Sequence, residues 1–243
     1  MTTRIAVFGD VHGNVQATAA TLAAIEATDP DAVVCLGDLV GYGANPNETI
    51  DLVRQLGAPT LMGNYDDGVG FDRDDCGCAY KDADERERGQ ASLMWTRGVV
   101  SDDRKAWLQT LVFDHRMEAG GRRLRFVHGS PRRINEYLFE DRDVGSLQRI
   151  ARGADCDVLV FGHTHKPWTR EIEGVRFVNA GSAGKPKDGD PCGCWVMLEV
   201  GEDSSVAVAY HRVPYDVAAA AAAIRAAEEL PDEFATDLET GGR

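Results

Sequence analysis

Five times along the chain, a run of strand-forming apolar residues ends on a glycine beside a side chain that can bind a metal. The blocks are Phe8-Gly9-Asp10-Val11-His12-Gly13-Asn14, Leu36-Gly37-Asp38, Met62-Gly63-Asn64, Val127-His128-Gly129 and Phe161-Gly162-His163-Thr164-His165. In open α/β sheets, ligands gather beyond the carboxyl ends of the strands. Glycine there permits tight turns and close approach of one backbone to another. A chain that repeats the device five times is constrained to bring five strand ends to one crevice.

The donors in these blocks are Asp10, His12, Asp38, Asn64, His128, His163 and His165. Carboxylate, amide and imidazole donors suit manganese, iron, zinc, cobalt or nickel, and no thiolate is among them. Asp10 and His12 are two residues apart, as are His163 and His165. On a tightly turning segment such pairs can feed two neighbouring metals, with one carboxylate bridging. Two divalent ions outweigh the charge of two carboxylates, so the filled site would attract an anion such as phosphate. A hydroxide between the metals would also be favoured at neutral pH.

The scaffold around the blocks reads as α/β. Residues 4–9 and 32–36 predict buried strands, and 59–62 a third short one. Helices are expected over 14–28 and 46–56, the second started by Asn45-Pro46. This βαβαβ order implies parallel strands with right-handed crossovers. Residues 66–88 carry no apolar period and predict a long loop beside the site. Helices are expected over 89–97, 102–111, 143–152 and 217–230, and a strand over 158–161. Hairpins are expected at 112–118 with 122–128, turning on Gly120-Gly121, and at 168–173 with 175–178 around Gly174. Strands 195–200 and 206–213 form a further pair. Two packed sheets with helices outside, in one domain over 1–230, accommodate these elements, and residues 231–243 read as a polar, frayed tail.

With 40 acidic against 26 basic residues, the net charge of −14 disfavours non-specific nucleic acid binding and anionic membranes. No apolar run reaches the ~20 residues of a membrane span, and no secretory signal is evident, so a cytoplasmic protein is expected. Among the basic residues Lys is scarce. The cysteines include two Cys-Gly-Cys clusters, Cys76/Cys78 and Cys192/Cys194. Their one-residue gaps are poor zinc spacing, which favours small half-buried thiols over a four-thiolate site.

The order Gly9-Asp10-x-His12-Gly13-Asn14, Gly37-Asp38, Gly63-Asn64, His128-Gly129, Gly162-His163-Thr164-His165 resembles the calcineurin-like metallophosphoesterase superfamily, over residues 5–184. Within it the chain is most similar to the small phosphodiesterases of the YfcE type, also through Val178-Asn179-Ala180-Gly181-Ser182-Ala183-Gly184. The resemblance implies a four-layer α/β/β/α sandwich of two mixed sheets flanked by helices. It implies two divalent metals, manganese first, with iron, zinc, nickel or cobalt as alternatives. Asp10, His12, Asp38 and His165 would hold one; Asp38, Asn64, His128 and His163 the other, with Asp38 shared. The implied reaction is in-line attack on a phosphate ester, small molecule or nucleotide, by the metal-bridging hydroxide.

One position departs from the broad superfamily. A histidine usually follows the asparagine of the third block, and here Tyr65 stands there, followed by Asp66. Tyrosine is a weak acid near neutrality. The change favours esters with good leaving groups and a phosphodiesterase over a phosphomonoesterase or protein phosphatase, with Tyr65 contacting the leaving group or phosphate. Asp66 is expected to orient a ligand or its loop. Tyr42, Arg132 and Arg133 are candidate substrate contacts, though a solvated pair of charges explains the arginines better. His115 and His211 fall in strands away from the blocks and read as structural. Rival readings are a non-catalytic, metal-stabilised protein-binding module of the same fold, and a thiol metal site at the four clustered cysteines.

Overall fold

The computed structural model describes residues 2–242. Its elements, in chain order, are β1 (Thr2–Phe8), α1 (Val15–Glu26), β2 (Ala32–Cys35), α2 (Pro46–Leu56), α3 (Asn64–Gly70), α4 (Ala83–Val99), α5 (Asp102–Leu108), β3 (Asp114–Ala119), β4 (Arg122–Val127), α6 (Val144–Ala154), β5 (Val158–Phe161), β6 (Trp168–Ile172), β7 (Val175–Asn179), β8 (Gly193–Gly201), β9 (Val206–Val213), α7 (Val217–Ala226) and α8 (Glu233–Thr240). They build one sheet of order β2-β1-β8-β9 and another of order β3-β4-β5-β7-β6. Both are mixed. β1 runs parallel to β2 and antiparallel to β8, while β5 runs parallel to β4 and β7.

Side-chain alternation along β1 shows how the layers stack. Ile5 and Val7 point into the space between the sheets, where they meet Leu124, Phe126, Val158, Val160 and Val178. Ala6 and Phe8 point the other way, under a helical layer that contributes Ile25, Ile50 and Val53. This is the period of two expected of a strand buried on both faces. The second sheet is covered by α6, whose Leu147, Ile150 and Ala151 pack on Val127, Leu159, Phe161 and Phe177. Burying each such aliphatic side chain stabilises the fold by about 1.5–3 kcal/mol before chain entropy is counted. The result is the four-layer sandwich of two mixed sheets flanked by helices. No helix among the described residues is long and apolar enough to cross a membrane.

Local signals set several boundaries. Asn14 caps α1 by accepting from Ala17 N at 3.1 Å. α2 opens on Pro46 and closes on Gly57, whose φ of 66° is the left-handed stop. Other boundaries differ from the sequence reading. The expected strand at 59–62 is reduced to the isolated bridges Cys35–Thr60 and Leu61–Val112. The expected loop at 66–88 is helical at both ends, because α3 runs to Gly70 and α4 begins at Ala83, and only its middle, 71–82, is irregular. α4 is polar over its first two turns, buries Leu93 in its second half, and is started by Asp82, which accepts from Glu85 N. The tail expected at 231–243 is, over its described residues to 242, not frayed. α8 buries Phe234, Ala235 and Leu238 against Ala220, Ala221 and Ile224 of α7. Phe234 and Leu238 stand four apart, which is enough to give a short polar helix an apolar seam.

Candidate metal centre

All seven block donors come together, and none is more than 4% exposed. They lie just beyond strand ends: Asp10 and His12 after β1, Asp38 after β2, His128 after β4, His163 and His165 after β5. Asn64 opens α3. Asp10, His12, Asp38, His163 and His165 all have positive φ, between 48° and 66°. Non-glycine residues rarely adopt that region, and such strain clusters where function demands it. Gly63 and Gly162 make the close approach possible. A Cβ on Gly63 would stand 2.1 Å from Asp38 Oδ1, and one on Gly162 2.4 Å from Asp10 Oδ2.

The donors sort into two triads, Asp10/His12/His165 and Asp38/His128/His163, whose donor atoms lie within 4.8 Å of one another in each. In the first, His12 Nδ1 donates to Val40 O at 2.9 Å and His165 Nδ1 to Lys185 O at 2.5 Å. A carbonyl cannot donate, so each Nδ1 carries the proton and each Nε2 a lone pair. The two Nε2 atoms face each other at 3.1 Å. Burial pushes His12 down to about 4 and His165 well below its ordinary value, so both rings are neutral. Two lone pairs aimed at one point, with Asp10 Oδ1 3.5 Å from His165 Nε2, call for a cation.

The second triad follows the same logic with a different outcome. His128 Nδ1 donates to Leu36 O at 2.9 Å, and its Nε2 faces Asn64 Oδ1 at 3.2 Å, His163 Nδ1 at 3.3 Å and Asp38 Oδ2 at 3.4 Å. Burial pulls the His128 pKa down, but the Asp38 carboxylate outweighs it and with Asp10 lifts His128 to about 9. A proton there supplies the positive charge that this set of acceptors needs. Burial pushes His163 down to about 3, helped by His128, and its buried Nε2 has no hydrogen-bond partner. The residues fit two divalent cations by donor type and aim, with the proton on His128 Nε2 standing where a cation's charge would replace it. Asp38 Oδ2 also stands 3.6 Å from His12 Nε2, which puts one carboxylate oxygen between both sets.

Asp66 braces this arrangement. Its carboxylate accepts from Asp38 N and Leu39 N, each at 2.8 Å, and from Gly63 N at 2.9 Å. It thus ties the turn carrying Asp38 to the turn carrying Asn64. Asn64 is aimed by its other end, with Nδ2 donating to Cys76 O at 3.0 Å and Cys78 Sγ at 3.2 Å. Tyr65 is buried edge-on to the His12 ring, 5.6 Å between centroids, and against the Tyr42 ring at 4.7 Å, with the two phenol side chains in hydrogen-bond contact. Burial pushes the Tyr65 pKa well above 10, so it stays protonated. Tyr42 lies 4.8 Å from the His12 ring.

Other candidates lie apart. Arg132 is exposed and paired with Glu136 through Nε and Nη2, so that edge of its guanidinium is already occupied. Arg133 is exposed on the same loop. Among the described residues, neither is hydrogen-bonded or ion-paired to the triads' donors. His115 packs on Phe126, and His211 stacks on Trp195 at 4.1 Å. The cysteine clusters do not assemble. Cys76 and Cys78 lie beside Asn64, Cys194 lies under Gly181, and among the described residues no thiol joins a group of three metal-capable donors.

Sequence reasoning missed the surroundings of the site. Tyr137 covers His163 at 3.9 Å between ring centroids. Lys185 donates to Asp237 of α8 at 2.6 Å and lies over the Tyr42 ring at 4.9 Å. Burial and the neighbouring Lys185 push Lys187 down to about 8. The scarcity of lysine was the available signal: only Lys81, Lys105, Lys166, Lys185 and Lys187 occur.

The profile of the "Calcineurin-like phosphoesterase superfamily domain" matches residues 3–203. The "Uncharacterized protein MJ0912" of Methanocaldococcus jannaschii is 30% identical over 231 residues, 88% of either chain. A metallophosphoesterase crystal structure from Sphaerobacter thermophilus superposes with a TM-score of 0.75 at 29% identity, over 99% of this chain and 100% of that one. The hypothetical protein PH1004 of Pyrococcus horikoshii superposes with a TM-score of 0.84 at 21% identity, over 99% of each chain, a likeness of fold.

Proposed function

The chain belongs to the calcineurin-like phosphoesterase superfamily, and from that premise we propose that it is a divalent-metal-dependent hydrolase of phosphate esters that prefers diesters. The observation that carries the reading is the position of Asp38 Oδ2, 3.6 Å from His12 Nε2 and 3.4 Å from His128 Nε2. One carboxylate oxygen standing between two donor sets is the arrangement a metal pair needs. Divalent cations, when bound, supply Lewis acidity at phosphoryl oxygens and make water a nucleophile at neutral pH. The donors are oxygens and imidazoles only, which suits manganese, with iron, zinc, cobalt or nickel able to replace it.

The chain's own residues then divide the work. Asp10, His12 and His165 would hold one cation, His128, His163 and Asn64 the other, and Asp38 would stand between them. Backbone carbonyls of Val40, Lys185 and Leu36 fix the tautomers and orient three of the four rings. Burial keeps the electrostatic interactions with a developing phosphorane charge strong. Tyr65 offers a protonated hydroxyl beside the first triad. It can donate a hydrogen bond to a phosphate or leaving-group oxygen, but it protonates a poor leaving group inefficiently, which favours esters of acidic alcohols. In a reducing compartment the unbridged thiols beside Asn64 persist, and we place the protein in the cytoplasm.

The test is hydrolysis of bis(p-nitrophenyl) phosphate by manganese-loaded protein, with metal content measured on the same sample. Turnover that Asp38→Ala abolishes supports the reading. Two bound metals with no turnover on a panel of mono- and diesters would instead favour a metal-stabilised binding module.

A further inference from the structure

Four of the chain's five lysines line one cavity. Lys81, Lys166, Lys185 and Lys187 surround a space of about 330 Å³ that borders the metal centre through Tyr42, Tyr137 and Thr164. In a protein of net charge −14 that concentration is not a sample of the surface. The acids on the same wall are already engaged. Asp237 holds Lys185, Glu233 faces Arg88 at 4.0 Å, and Glu85 accepts from Lys81 N at 2.7 Å. Among the described residues, the ammonium groups of Lys166 and Lys187 have neither a hydrogen bond nor an ion pair. Both extend from segments that also hold the metal centre. Lys166 follows His165 directly, and Lys187 N bonds to His165 O. The cavity also has an aromatic side, where the Tyr137 and Phe139 rings stack at 5.6 Å with 9° between planes. Tyr137 lies on His163 as well, so the stack runs from the metal centre into the cavity.

We propose that this cavity is a substrate subsite for a second anionic group, bound by Lys166 and Lys187, on a phosphate ester whose aromatic ring lies against Tyr137 and Phe139. The chemistry matched is that of a nucleotide ester carrying a phosphate besides the one hydrolysed. A space of this size is at the small end of ligand pockets and takes one such unit. Lysine binds phosphate as a point charge without demanding one geometry. Lys185 positions the wall: its bond to Asp237 and its place over Tyr42 and Phe234 hold α8 against the cavity.

The inference rests on the hydrolase reading of the neighbouring centre for its catalytic form, and a matched pair of substrates separates the two. Thymidine 5′-(p-nitrophenyl phosphate), with and without a 3′-phosphate, keeps the scissile diester, leaving group and base the same. The 3′-phosphate is expected to raise kcat/KM of the manganese-loaded enzyme by about tenfold, mainly through KM, the size of a charge-assisted contact. In Lys166→Ala/Lys187→Ala the ratio between the two substrates is expected to fall to about one, and Lys187→Arg in the wild-type background should retain most of it. A ratio of one in the wild type, or a ratio unchanged in the double variant, overturns the proposal while leaving the hydrolase reading intact. Absence of turnover on both substrates removes the hydrolase reading instead. Calorimetry with thymidine 3′,5′-bisphosphate against thymidine 5′-monophosphate then decides the subsite alone. A preference for the bisphosphate that the double variant loses supports it, and equal affinities overturn it.

Discussion

The two halves of the metal centre are built to different standards. In the first, both imidazoles are pinned through Nδ1 to backbone carbonyls, and Asp10 is pinned by His163 N at 3.0 Å. In the second, only His128 has such an anchor; His163 has none at Nε2, and Asn64 depends on an irregular segment through Cys76 O and Cys78 Sγ. Orientation of ligands by their outer partners sets metal affinity. The first half should therefore bind its metal more tightly, and the second should exchange it more readily. Asp38 and Asp66 belong to neither half, since one is shared and the other braces the shared residue.

That division is tested most severely at the shared residue. Asp38→Ala should cost both metals together and reduce turnover on the order of a thousandfold or more, since the bridge and the nucleophile's position go with it. Metal content and kcat/KM on bis(p-nitrophenyl) phosphate measure it; retention of a single tight metal would mean that the halves are independent. Asp66→Asn comes next. The amide keeps the shape but turns an NH2 toward backbone donors that now share three charge-assisted bonds. We expect a loss of roughly 10–100-fold in affinity at both sites equally, and about 2–3 kcal/mol of stability. Thermal unfolding and metal titration check this. A loss confined to one site would place the brace in one half.

What the sequence made legible follows from the same physics. A metal ligand must be a particular residue type at a particular turn, so the blocks around Asp10, Asp38, Asn64, His128 and His163 announce themselves without any knowledge of packing. The two-sheet architecture was equally readable, because strands such as 158–161 are short, apolar and bounded. α3 was not, since Asn64-Tyr65-Asp66-Asp67-Gly68-Val69-Gly70 has no apolar period; its start is set by Asp66 accepting from Gly63 N, a tertiary brace as much as a cap. α8 was obscured by its charge, its only seam being Phe234, Ala235 and Leu238. The roles of Tyr137, Cys78 and Lys187 depend on which loops meet over the centre, and no local pattern encodes that.

Gly162→Ala strikes the first half alone. The added Cβ would stand 2.4 Å from Asp10 Oδ2, and the carboxylate must move to admit it. Displacing one ligand by more than half an ångström should lower affinity for the tighter metal at least about tenfold, leaving the weaker one nearly as it was. Calorimetric titration of the metal-free protein with Mn²⁺ resolves the two events. If the weaker event moves instead, the assignment of tight and loose halves is reversed.

The mildest break is Cys78→Ala, aimed at the second half. Sulfur is a weak acceptor, and Asn64 Nδ2 keeps Cys76 O at 3.0 Å, so the amide loses one of two restraints and not its orientation outright. A bond of that kind contributes about 0.5–1 kcal/mol net, which corresponds to a two- to fivefold loss of affinity. The same titration should show the weaker event shifted by that factor and the tighter one unmoved. Because Cys78 touches no other donor of the centre in a hydrogen bond, its effect can reach the metal only through Asn64. A shift of the tighter event, or the same shift in Cys78→Ala made on an Asn64→Ala background, would show that the thiol acts by another route and that the looseness of the second half has a different cause.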